Sequence, residues 1–344
     1  MAIGSGLAAQ IGIAKESVVN TPVAVTAFNP FLTSTLMPRI TTAVDMGLQA
    51  GQLAPIGARR IITGLDGGGD VTFNVASKAF GRWVQAAMGS TPTATQIGTS
   101  GAYTQFHNLG SADGTTFTIQ VGAPETGGTV DPLTFSGSKI TAWELAAQPG
   151  GLMTFKATVD SMKVQPTGAG ALGLQAASYS ADQNFGFNQC AWSSFSAMTV
   201  VSSLWTPTSP TALKVRNMSI KGAQPKKVDR WIAGSSTKDE QLGNGFTQAT
   251  GQIDIDYAST TFQAAYLAGT SLGLQMSATG SIIGTSGTNV ATVQVTMPYV
   301  TLEQGSTPQP NGPDVITVSY PFTVYDDGTN GSMQIYIIST DSAV

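Results

Sequence analysis

Two stretches of this chain alternate apolar and polar residues in the same way. Gly69-Asp70-Val71-Thr72-Phe73-Asn74-Val75-Ala76-Ser77 is followed by Phe80, and Gly251-Gln252-Ile253-Asp254-Ile255-Asp256-Tyr257-Ala258-Ser259 by Phe262. The period of two predicts a strand in each. Val71, Phe73 and Val75 turn to one face, as do Ile253, Ile255 and Tyr257, while Thr72, Asn74, Asp254 and Asp256 turn to the other. After each strand the period lengthens. Phe80, Trp83, Val84, Ala87 and Met88 fall at helical spacing, with Ser77 as N-cap and Gly89 as C′ residue, which predicts a helix over 77–88. Ser259, Phe262, Ala265, Tyr266 and Gly269 predict a second over 259–269. The copies stand 182 positions apart, more than half of the chain, so the sequence reads as an internal duplication.

The correspondence extends outward. Strands are expected after the helices at 116–121 and 292–297, then at 140–145 and 315–320. A last strand in each half opens at Gly151-Leu152-Met153-Thr154-Phe155 and Gly331-Ser332-Met333-Gln334-Ile335. Gln148-Pro149-Gly150-Gly151 and Asp326-Asp327-Gly328-Thr329-Asn330-Gly331 read as hairpin turns. Before each strand–helix unit lies a long charged segment. Residues 37–70 hold Arg39, Asp45, Arg59, Arg60 and Asp66; residues 221–244 hold Lys226, Lys227, Asp229, Arg230, Lys238, Asp239 and Glu240. Long loops at equivalent places point to a function, and contacts between subunits are the expected one. Arg39, Asp45, Arg59, Arg60, Lys226, Lys227 and Arg230 are the candidate contact residues. The division this suggests is a first domain at 1–165, a connector at 166–210 containing the Gly-rich stretch 168–173, and a second domain at 211–344.

Composition sharpens this picture. Of 344 residues only 10% are charged, against about 25% in an average soluble protein. Few charges remain to keep monomers apart, which suits a surface covered by copies of itself. The net charge is −4, and no basic patch of a nucleic-acid binder is present. Cys190 is alone, so no intrachain disulfide forms. The N-terminus lacks the basic region of a secretory signal and no apolar run reaches membrane-helix length, so folding in a cytoplasm is expected.

No catalytic constellation emerges. His107, the single histidine, has no acidic or thiol neighbour in sequence, and Cys190 reads as a small buried residue. Asp66-Gly67-Gly68-Gly69-Asp70 lacks the Lys-Ser/Thr of a phosphate loop and the acidic spacing of a calcium loop, and reads as a turn before a strand. Asp254 and Asp256 read as a solvated strand face, and Trp143 and Trp231 as core or interface aromatics. Neither an enzyme, a cofactor nor a metal is expected.

One known pattern fits the whole order. An extended segment near Thr21-Pro22-Val23-Ala24-Val25 comes first, then the charged loop with Gln49-Ala50-Gly51 and Arg59-Arg60. Gly-x-Val-x-Phe-x-Val follows, then the helix with Phe80-Gly81 and Trp83-Val84, then Gly137-x-Lys139-Ile140-x-x-Trp143 and a Gly-Gly hairpin. This resembles the major tail tube proteins of siphophages with a duplicated tube domain, over about 20–160 and 211–340. The resemblance implies a mainly β fold: two tandem β-sandwich or barrel domains, each with one flanking helix and a long stacking loop. It implies that domains join edge to edge in rings, that rings stack into a tube, and that DNA passes through the lumen without specific binding. Partners implied are the chain itself, a tape-measure protein, a tail terminator and tail-tip proteins, in a virion tail assembled in the host cytoplasm. Single-domain members close as six copies, so three chains as a pseudo-hexamer are expected here, with six full chains as the alternative. The competing readings are another virion β protein (a tail terminator or minor tail protein), an outer-membrane porin, and a secreted β-sandwich.

Overall fold

The computed structural model describes residues 5–125, 128–165, 172–179, 183–284, 288–310, 312–313 and 315–344. Most of the Gly-rich stretch 168–173 lies outside them. The protein is mainly β. Its first half contains β1 (Gln10–Lys15), β2 (Ala27–Phe28), β3 (Thr33–Ser34), β4 (Met37–Val44), β5 (Arg60–Asn74), α1 (Phe80–Met88), β6 (Thr95–Gln96), β7 (Tyr103–Asn108), β8 (Phe117–Pro124), β9 (Val130–Ala147), β10 (Thr154–Ser161) and β11 (Lys163–Gln165). The second contains β12 (Cys190–Phe195), β13 (Ala197–Val201), β14 (Leu204–Thr208), β15 (Thr211–Leu213), β16 (Val215–Ala223), β17 (Lys226–Lys227), β18 (Leu242–Gly243), β19 (Gln248–Asp256), α2 (Thr261–Ala268), β20 (Leu272–Ile282), β21 (Val290–Leu302), β22 (Thr317–Tyr325) and β23 (Gln334–Ser339).

The halves share one strand order. In the first, β4, β5, β10, β9, β8 and β1 are neighbours in that sequence, all antiparallel. In the second the same places are taken by β16, β19, β22, β21, β20 and β12. Val71 and Ile253 occupy equivalent positions, since Val71 faces Ala157 and Ile253 faces Tyr320 on the matching strands. The strand after the second helix is therefore β20. Residues 292–297 belong to β21, the counterpart of β9, and 315–320 overlap β22, the counterpart of β10. The expected pairing of post-helix strands was thus one strand out of step. The cause is local: the first half inserts β6 and β7 between helix and strand, while only residues 269–271 separate α2 from β20. Residues 190–195, placed in the connector, form β12, the counterpart of β1.

The helices begin later than their patterns suggested. Ala79, at φ 60°, precedes α1, and its N–H donates to Asp341 Oδ2 at 2.7 Å in place of a Ser77 cap. Gly89 and Gly269 both end their helices in the left-handed region, at φ 63°. Residues 21–26 pair with no strand; the N-terminal strand is β1.

The long strand β9 ties the layers together. Its one edge pairs with β8 through Val130–Ser138 and then with β16 through Ala142–Ala147, while β10 and β11 follow the other edge. Where it crosses between sheets both faces are covered, so 134–140 are all buried. Its polar groups there are satisfied: Ser138 Oγ lies 2.7 Å from Ser161 Oγ, and Ser136 Oγ donates to Asn20 at 2.9 Å. One core runs through both halves. Phe73, Phe80, Trp83 and Phe155 pack ring against ring in the first, with centroids 5.2–6.3 Å apart. Phe262 meets Tyr320 at 5.1 Å in the second.

Candidate assembly surfaces

The two halves join through backbone. Met218 to Ala223 of β16 pair with Ala147 to Ala142 of β9, which makes one run of eight strands: β4, β5, β10, β9, β16, β19, β22, β21. At the joint Gly222 sits under the buried Trp143 indole, where an added Cβ would fall 2.3 Å from the ring. The run ends in two edges. At one end β4 pairs with β5 on one side only, and seven of its eight residues are exposed. At the other, β21 loses its β20 partner after Val300. β21 ends at Leu302, the counterpart of Ile140, so the segment equivalent to Ala142–Ala147, where β16 is added, is the non-strand stretch 304–309 that follows it.

One face of this run is polar. Lys156 lies 2.8 Å from Asp70, Lys221 3.4 Å from Glu144 and Arg216 2.5 Å from Asp256. Asp254 accepts bonds from Asn217, Gln252 and Ser319. Four acids against three bases leave it slightly negative, and its lysines are already paired. The bond from Lys156 holds the Asp70 carboxyl below the usual range.

Residues 37–70, expected to be irregular, form a β-hairpin. β4 and β5 stay paired as far as Val44 and Arg60, and residues 45–59 cap them. Asp66-Gly67-Gly68-Gly69-Asp70 lies within β5 and makes no turn. Its glycines serve close packing: a Cβ on Gly67 would meet Phe135 and Val164 at 2.6 Å. The distal part of the hairpin, residues 40–63, is an apolar arm. Leu48 and Leu53 are fully exposed, and Ile40, Met46, Ile61 and Ile62 are more than half exposed. Of the expected contact residues, Asp45 and Arg59 close the base of its loop on each other at 3.1 Å, and Arg59 also reaches Gln49 at 2.9 Å. Arg60 is exposed and has no ion-pair partner among the described residues. Arg39 is engaged inside the chain, with Asp66 at 2.8 Å, Gly67 O at 2.7 Å and Asp160 at 2.5 Å.

The second charged segment behaves differently. Residues 224–245 fold back as a flap over the first half. Lys238 Nζ lies 2.7 Å from Asp66 and 2.8 Å from both Asp160 oxygens, and Lys139 Nζ reaches Glu240 at 2.6 Å. Both ammonium groups are buried. Trp231 covers Gly64, and Leu65 N–H donates to Ser236 O at 2.9 Å. The expected basic trio is spent within the chain. Lys226 Nζ donates to Ser111 O at 2.5 Å, Lys227 pairs with Asp229 at 2.9 Å, and Arg230 with Asp239 at 2.8 Å. Burial, and then the nearby Lys139 charge, pull the Lys226 ammonium below the usual lysine range. Sequence reasoning missed Lys139 and Asp160. Their one signal is a charge at a strand position that the pattern otherwise turns inward.

His107 is buried, with Ser90 Oγ 3.1 Å from Nδ1 and Gln105 Oε1 3.3 Å from Nε2, and desolvation pushes its pKa down to about 3. Burial pushes the Cys190 thiol up to about 11. Neither value suits acid–base or nucleophilic work at neutral pH. No helix among the described residues is long and apolar enough to cross a membrane.

The surfaces that stand out are two strand edges and an exposed apolar arm, beside a flap held down on the first half. No curated protein matches the chain. The family model for the phage tail tube protein matches residues 6–324, across both halves and the joint between them. The chain therefore belongs to the phage tail tube protein family, and is a structural component of the virion tail.

Proposed function

We propose that this chain builds the tail tube of a siphophage as rings of three copies, stacked around a lumen that conducts the genome during ejection. The division into two tube domains at 1–165 and 211–344, with the stretch between them supplying β12 to the second, belongs to this reading. The observation that carries it is the β9–β16 joint. Since β16 is the counterpart of β4 and β21 that of β9, a corresponding joint between chains brings β3 and β4 of the next copy alongside residues 304–309, which follow β21 and extend it on assembly. Repeating a contact that rotates by a constant angle closes a ring, and closure leaves no bare sheet edge. Three chains then supply six alternating half-units. The polar sheet face becomes the lumen wall. Its slight negative charge and paired lysines give passing phosphates little to bind. The arm and flap are the proposed contact elements, and a tape-measure protein, a tail terminator and tail-tip proteins the further partners, joined in the host cytoplasm.

Native mass spectrometry of single rings, with rotational averaging of end-on tubes, tests this. Three chains of 35.4 kDa per ring are expected. Six chains per ring would overturn the trimer and leave the tube, and a chain that stays monomeric at high concentration would overturn both.

A further inference from the structure

The flap covers a surface on the first half whose counterpart on the second half is bare. Along β5, Gly64 and Asp66 are buried beneath the flap, and Gly68 beneath Arg39; the equivalent residues of β19 and the turn before it, Phe246, Gln248 and Thr250, are exposed. Asp160, buried against Lys238, corresponds to the half-exposed Thr323. Instead of a flap, the second half has an open groove of about 850 Å³, running past Phe246, Gln248, Thr323 and Tyr325. The flap's base at Pro225 and Lys226 also lines it, as do Ser111 and Asp113 of the first half.

We propose that this groove receives the arm, residues 40–63, of a neighbouring copy. The inference rests on the ring reading above and adds to it a specific partner surface. The arm is the positional equivalent of the flap, because each links the counterpart strands β4 to β5 and β16 to β19. The flap crosses the β9–β16 joint to lie on the other half. An arm crossing the equivalent joint between chains lands in the groove. The chemistry of each pair matches. The flap brings Lys238 to two buried acids, and its contact is made as the chain folds. The arm brings Leu48, Leu53, Ile61 and Ile62 to a groove flanked by Phe246, which is 94% exposed, and Tyr325, at 49%. Arg60 on the arm and Asp326 at the groove rim both lack an ion-pair partner among the described residues. The arm's apolar residues find this groove only when two copies meet, so the first half is clasped on folding and the second on assembly.

A benzophenone amino acid placed at Leu53, and separately at Leu48, tests the contact by photo-crosslinking in assembled rings made from isotopically mixed chains. Both positions are fully exposed, so the chain folds as before. Inter-chain crosslinks to peptides containing Phe246 or Tyr325 are expected. Phe246→Ser should abolish them and raise the concentration needed for assembly by on the order of tenfold. Rings that form with crosslinks elsewhere would overturn the clasp and leave the ring intact, as would Phe246→Ser rings with undiminished crosslinks. Absence of any assembly would overturn both.

Discussion

Lys238 of the second half holds Asp160 of the first through both carboxylate oxygens, each 2.8 Å from its ammonium. Arg39 and Gln241 complete the shell around that carboxylate, so a residue far along the chain closes a site built from β4, β5 and β10. Buried ion pairs contribute little net stability when intact, yet cost much when half is removed.

Lys238→Met should therefore destabilise the chain by about 3–5 kcal/mol, because two buried acids are left with Arg39 as their one cation. Pairing it with Asp160→Asn should restore part of the loss. Urea denaturation of the three variants measures both effects, and an unchanged midpoint for Lys238→Met would show that the flap is not anchored here.

Gly222→Ala places a methyl group against the Trp143 ring at the joint of the two halves. Overpacking of this kind costs about 1–3 kcal/mol. Hydrogen exchange should locate the damage at 142–147 and 218–223. Faster exchange spread evenly over the chain would instead mean that the joint is not a separate unit.

His107 sets a limit at acid pH. Its folded pKa of about 3 lies below the ordinary value of 6.5, so the unfolded chain binds the extra proton between those values. Stability is complete above 6.5 and falls as pH drops toward 3, by up to roughly 1.4 kcal/mol per pH unit from this group. His107→Gln should flatten that part of the stability–pH curve relative to the parent. Parallel curves would exclude the histidine as the cause.

Arg59→Ala with Arg60→Ala should leave the monomer's melting temperature within a degree or two, since the Asp45–Arg59 pair is exposed and such pairs are worth about 0–1 kcal/mol. Assembly should be lost, because the double change loosens the arm's loop and removes its unpaired cation. Tubes of normal length from this variant would remove the arm's arginines from the interface.

Much of this protein is legible in one dimension. The period of two in Val71-Thr72-Phe73 and Ile253-Asp254-Ile255, the switch to helical spacing at Phe80 and Phe262, and the glycines ending both helices are local effects of backbone geometry and burial, and they stood where expected. Low charge suited a surface covered by copies of the chain itself. What the sequence could not reveal were relations set by pairing across distance. The matching of β21 to β9 depends on which strands lie side by side, and the insertion of β6 and β7 hides that order. The charged segments at 37–70 and 221–244 look alike as strings, yet one is a paired arm reaching out and the other a flap held down. The difference lies in partners remote in the chain: Asp66 and Asp160 wait under Lys238, while Gln248 and Thr323 offer no charge to hold an arm. Local propensity dictates which residues form strands. Only the tertiary structure decides which edges and which charges find a partner inside the chain and which remain for the next copy.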